Sequence, residues 1–97
     1  MGYKVSLSPL AHENIADAID YYAAKGSQSL VISFYNDLQR CYEALEVNPF
    51  LQVRVKTYRA IPMSKFPFLV FFEVNELEKK VRILAIFNTY QDSQKWP

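Results

Sequence analysis

Glycine is scarce in this sequence, at two residues, and proline contributes only five. Collagen-like and low-complexity chains are excluded, because both need far more of these residues. A single cysteine, Cys41, leaves no intrachain disulfide to form and no thiolate metal site to build. Histidine is equally rare, with His12 alone, and no Gly-rich phosphate loop, internal repeat or linker is present. No wholly apolar stretch is longer than the five residues Phe68 to Phe72, far short of a membrane span. Met1-Gly2-Tyr3-Lys4 runs straight into a strand-like segment without a signal-like stretch, so a cytoplasmic location is expected.

What is present is hydrophobic material. Apolar residues make up 51% of the chain and charged residues 22%, which excludes intrinsic disorder. A chain of 97 residues reads as one domain over residues 1–97. A domain of this size buries roughly 65% of its unfolded surface, enough for a core without metal or disulfide help. Aromatics are abundant: seven Phe, seven Tyr and one Trp.

The net charge of +1 hides an asymmetry. Residues 1–50 carry a balance of −3 and residues 51–97 a balance of +4. Within the second half, Arg54, Lys56, Arg59 and Lys65 follow one another with no acid among them. Such a block suits an acidic partner or phosphates, or is a solvated strand face that discourages edge pairing. The small overall charge is not that of a dedicated nucleic-acid binder, so direct nucleic-acid binding is not expected outside a complex.

Tyr3 to Leu7 alternates as a short strand, with Val5 and Leu7 opposite Lys4 and Ser6. Ser8-Pro9 then starts a helix: Ser caps the orphan amides, and Pro at the first position loses no hydrogen bond. Ala11, Ile15, Ala18, Ile19 and Tyr22 mark its apolar stripe. Gly26 suits the residue after the helix end, and Ser27 or Ser29 can cap a second helix. That helix carries Val31, Phe34, Leu38, Cys41, Tyr42 and Leu45 at helical spacing and ends near Asn48-Pro49. The short connection makes the two helices antiparallel neighbours.

The second half supplies what they cover. Val53 to Ile61 is strand-like, and Phe66 to Val74 and Val81 to Asn88 are stronger strands, apolar on both faces. Such strands are central, or have one face on the helices and the other closed by a partner. Asn75 to Lys80 is a polar hairpin turn, and Gln91 to Pro97 a tail. The order β-α-α-β-β-β predicts an α+β fold: an N-terminal helical hairpin packed on a twisted, mostly antiparallel four-stranded sheet.

Chemistry is thinly represented. His12 has no Ser, Cys or carboxylate spaced to work with it, and Cys41 lies on the apolar side of its helix. Metal-free RNA cleavage needs a base, an acid and cations at one phosphate. Arg59, Lys56, Lys65, Tyr58 and Tyr90 supply those residue types, with Arg59, Lys56 and Tyr90 the weak catalytic candidates.

The order of Tyr3-x-Val5-x-Leu7-Ser8-Pro9-x-Ala11, Ile15, Tyr21-Tyr22, Phe34, Leu38 and Asn48-Pro49 forms a pattern. It continues through Arg59, Phe66-Pro67-Phe68, the Val81 to Phe87 strand and the tail Asn88 to Trp96. Over nearly the whole chain this resembles the RelE/ParE superfamily of type II toxin–antitoxin toxins, and more closely its ParE-like plasmid stabilisation branch. Many relatives carry His-x-x-Arg-Asp-Pro-x-x-Trp after the last strand. Asn88 stands here at the His position, Gln91 at the Arg position and Ser93 at the Pro position, while Asp92 and Trp96 match.

The resemblance implies a bacterial toxin held in check by a cognate antitoxin that wraps the sheet and helical hairpin. ParE-like members are taken to bind DNA gyrase, whereas RelE-like members cleave mRNA on the ribosome. Asn and Gln keep hydrogen-bonding capacity but lose charge and acid–base function. Binding rather than catalysis is therefore expected, the alternatives being a RelE-like endoribonuclease or a divergent member without toxicity. No cofactor, metal or membrane partner is implied. Arg54, Lys56, Arg59 and Lys65 are the expected partner-binding residues.

Overall fold

The computed structural model describes residues 2–51, 53–55 and 58–89. In chain order these form β1 (Lys4–Leu7), α1 (Pro9–Ala24), α2 (Gln28–Val47) and a 3-10 turn (Pro49–Leu51). They are followed by β2 (Val53–Val55), β3 (Tyr58–Pro62), β4 (Phe68–Asn75) and β5 (Lys80–Asn88). The strands make one sheet in the order β1-β5-β4-β3-β2, antiparallel except where β1 runs parallel to β5. The α+β architecture, with the helical hairpin on a mostly antiparallel sheet, is the expected one.

Two boundaries differ from the sequence reading. The Val53–Ile61 segment is not one strand but two: Val53 pairs with Ala60 and Val55 with Tyr58, so five strands stand where four were expected. Alternation cannot reveal that reversal, because no Gly, Pro or Asn marks it. The strand expected from Phe66 begins at Phe68 instead. Pro67 has no amide to donate to a ladder, and the Phe68 amide turns back to the Phe66 carbonyl at 2.8 Å.

The helices start and stop for local reasons. The Ser8 hydroxyl accepts from the Ala11 amide (3.1 Å), with Pro9 just behind it, and the Ser27 hydroxyl caps α2 through the Leu30 amide (3.2 Å). Between them Gly26 adopts φ +76°, the left-handed conformation that ends a helix without a Cβ penalty. The core lies between hairpin and sheet. Phe34, Leu38 and Leu45 of α2 meet Val70 and Phe72 of β4 and Val81, Ile83 and Ile86 of β5. Phe34 also packs edge-on against Phe66 and Phe68, with ring centroids 5.5 and 5.7 Å apart.

A β-bulge sits where β4 and β5 face each other. Phe71 pairs with Ala85 but Phe72 with Ile83, so Leu84 is the extra residue. β1 accompanies β5 only as far as Ile83. Beyond it, α1 seals the edge of β5: the Ser8 hydroxyl donates to the Leu84 carbonyl (2.7 Å), and the Ile86 amide donates to Asn14 Oδ1 (2.9 Å).

One acid is buried. Asp37 of α2, on the same stripe as Phe34, Leu38 and Cys41, has a side chain only 1% exposed. Its carboxylate accepts from the Lys65 amide (2.8 Å), the Ser64 amide (3.1 Å) and Arg40 Nη2 (3.0 Å). This clamps the loop between β3 and β4. Burial works against the charge, but the two amides and the Arg40 guanidinium outweigh it and hold the carboxyl below its ordinary range. A depressed folded pKa means that Asp37 stabilises the protein above the normal carboxylate range and ceases to do so as pH falls through the folded value. Asp37→Ala should therefore cost about 2–3 kcal/mol at pH 7, as hydrogen bonds to a charged group do. In urea melts the gap between wild type and variant should narrow as the pH is lowered below 4.

Candidate functional site

The N-terminal end of β4 and the C-terminal end of β5 form one wall of a cleft of about 700 Å³. Pro67 and Phe68 line it on one side, with Ile86, Phe87 and Asn88 beside them. The opposite wall is α1, through Asn14, Asp17, Ala18, Tyr21 and Lys25, and Leu30 of α2 closes one end. The cleft exists because β5 outruns β1: where a neighbouring strand would lie, α1 crosses instead. Its apolar lining is aromatic. Tyr22 stacks edge-on against Phe66 (5.1 Å between centroids) and against Tyr21 (5.2 Å), and Tyr21 itself is 57% exposed. Burial, with the neighbouring Tyr21 phenol, raises the Tyr22 pKa above its ordinary value, so the ring meets the cleft as a neutral group. The Lys25 ammonium lies over the Tyr21 ring, 4.9 Å from its centroid.

Arg59 lies elsewhere. Its Nη1 donates to the Phe50 carbonyl (3.3 Å), and its guanidinium covers the Phe50 ring at 5.2 Å. Phe50 meets Tyr3 edge-on at 5.9 Å, and Lys79 covers Tyr3 at 5.1 Å. This ladder of cations and rings ties the 3-10 turn after α2 to the N-terminus, where Gly2 passes against the Glu46 carbonyl too closely for a Cβ. Lys65 sits by Asp37, which is ten residues, or roughly 15 Å, up α2 from its last residue, Val47. The two cations thus occupy separate places. Of Arg54 only the backbone is described, at the outer edge of the sheet opposite Arg59. Lys56, Tyr90, Gln91, Asp92 and Trp96 lie outside the described residues.

Asn88, at the family's His position, lines the cleft opposite Phe68, whereas Arg59 pairs with Phe72. Four residues of β4 separate those two partners, about 13 Å. The structure therefore does not bring Arg59 and Asn88 together. His12 is exposed on the first turn of α1, and no cluster of three metal-ligating side chains occurs among the described residues. Cys41 is buried, and its pKa is pushed up to about 11, first by burial and then by the Asp37 charge.

Sequence reasoning missed the cleft residues Lys25, Leu30 and Phe87 as a group. The only signal was a last strand, Val81 to Asn88, longer than the first, Tyr3 to Leu7. Asp37 was missed as well, although an acid between Phe34 and Leu38 on an apolar helical stripe was a visible sign.

A model of the ParE toxin of the type II parDE toxin–antitoxin system matches residues 5–93. The chain belongs to the ParE toxin family. None of the curated proteins matches it in sequence. Among solved structures it is similar to one titled "Chromosomal ParDE TA system from P. aeruginosa", with a TM-score of 0.73 and 17% identity. That similarity covers 89% of this chain and 95% of the other, and it carries the fold. The ParE match extends to residue 93 and so includes Asn88 and Gln91, which depart from the His and Arg of many relatives, but not Trp96. No helix among the described residues is long and apolar enough to cross a membrane.

Two outcomes are expected. A thiol reagent at pH 8 should leave Cys41 unlabelled in the native chain, where burial keeps the thiol protonated and inaccessible, and label it fully in urea. Arg59→Ala should lower stability by about 1 kcal/mol through loss of the Phe50 contacts, seen as a lower urea midpoint.

Proposed function

We propose that this ParE-family chain acts by binding a cellular target, DNA gyrase being the favoured one, and that a cognate antitoxin neutralises it. The observation that supports the binding reading is the separation of two family positions, Asn88 and Arg59, whose partners on β4 are Phe68 and Phe72. A general acid, a general base and a cation must converge on one phosphate, each contributing orders of magnitude in rate. Here the residue at the family's His position is Asn88, which cannot accept and release a proton at neutral pH. The cation at a family position, Arg59, is engaged with Phe50. The 700 Å³ cleft, walled by aromatic rings and open to solvent, supports a protein partner. Arg54, Lys56, Arg59 and Lys65 remain the proposed contacts for an acidic partner surface; Arg54 and Arg59 face each other across β2 and β3, and Lys65 lies beside Asp37.

Purified chain should block supercoiling by gyrase in a plasmid assay at concentrations where translation in a cell-free system continues. Primer extension on translating ribosomes should show no codon-positioned cuts. Cuts that appear with wild type and vanish in Arg59→Ala or Tyr90→Phe would reverse the conclusion in favour of a ribonuclease.

A further inference from the structure

The sheet has a second apolar surface, on the face turned away from the helices. Side chains alternate along β4, and Val70 and Phe72 belong to the core under the helical hairpin, so Phe71 between them points the other way. Ala60 of β3 and Ala85 of β5 pair with Phe71 and share its face. All three are sealed. Phe71 is 0% exposed and each alanine 1%, although none of them belongs to the cluster beneath the helices. Alanine methyls are too small to shield a phenyl ring. The half-buried Phe87 meets that ring edge-on at 6.0 Å and guards one flank of it.

Burial is complete within one chain, so the cover belongs to that chain. Outside the described residues, only positions 90–97 form a run longer than two. That run leaves the sheet at the covered end. Leu69 and Phe87, paired near the end of β5, are half-buried, whereas Glu73 and Arg82, paired further along the same face, are exposed. The cover thus reaches from the end of β5 to Phe71 and stops before Glu73. Reach is ample. Ala85 lies three residues back from Asn88, about 10 Å, and a layer packed on a sheet sits about 10 Å above it, so the path is about 14 Å. The eight residues from Asn88 to Trp96 span up to about 26 Å. The helix-side cleft is not sealed in this way: Tyr21 is 57% exposed and Leu30 38%.

We propose that residues 90–97 fold back across the outer face of the sheet and seat the Trp96 indole on Phe71, between Ala60 and Ala85. Trp96 is the one large apolar side chain beyond Tyr90. The two methyls beside Phe71 leave a recess that a flat ring fills. The outer face is thereby closed by the chain itself, while the cleft between α1 and the sheet stays open.

Trp96 is the chain's single tryptophan, so its fluorescence reports on this seat alone. In the native full-length chain its emission should lie to the blue of the urea-unfolded chain, resist acrylamide quenching, and stay unchanged on hundredfold dilution. Phe71→Ala should shift the emission to the red and restore quenching. Ala60→Lys should do the same with native circular dichroism, because its stem fills the recess while its ammonium reaches water. Tyr21→Ala, across the cleft, should leave both readings as in wild type. Solvent-like emission from the native wild-type chain overturns the proposal. A red shift on dilution overturns it in favour of a second copy as the cover. A shift in Tyr21→Ala with none in Ala60→Lys overturns it in favour of the cleft as the place of Trp96.

Discussion

β5 runs for nine residues beside a β1 of only four, and the remaining main-chain groups on that edge have to be satisfied by something other than a strand. The bulge at Leu84 turns the Leu84 carbonyl and the Ile86 amide toward α1, where Ser8 and Asn14 meet them. Those two bonds link residues more than seventy positions apart and set where the first helix lies on the sheet. Ser8 carries two duties at once, capping α1 through the Ala11 amide and donating to Leu84. The helix start and the sheet edge are thereby one structural unit.

From that placement the cleft follows. With α1 crossing the end of β5 rather than another strand, its Tyr21 and Lys25 stand across a gap from Phe68 and Phe87. The other wall is held from the far side of the hairpin. Asp37 grips the amides of Ser64 and Lys65, and the Thr89 amide donates to the Pro67 carbonyl at 2.7 Å. A buried carboxylate with three donors is stable only when all of them are in place, so the loop entering β4 has little freedom to drift. A ParE-family fold thus keeps the walls of this cleft in place with few resources: one acid, two hydroxyl or amide side chains and a bulge.

The ladder from Lys79 through Tyr3 and Phe50 to Arg59 does comparable work at the opposite end of α2. It shows why a cation in a basic stretch is a poor guide to function by itself. Arg59 occupies a family position, yet its guanidinium is spent on a backbone carbonyl and a ring in its own chain. The same sharing of duties appears at Lys65, whose backbone amide secures the loop while its side chain stays exposed.

Helix limits, caps and the α+β order were legible from local signals. Ser8-Pro9, Gly26-Ser27 and Asn48-Pro49 each act within a turn of chain, and the apolar stripes follow from a period of 3.6. The family was legible too, because it is carried by the order of such pieces. The hairpin between Val55 and Tyr58 was not, since its turn has no Gly, Pro or Asn to announce it. Nor was the cleft, which joins residues of α1 to residues of β5 some sixty or seventy positions later, nor the role of Asp37, whose partners lie 27 and 28 residues away. Local sequence determined the elements and where they end; which of their side chains face one another was decided by strand register and a bulge, and these depend on the packed sheet as a whole.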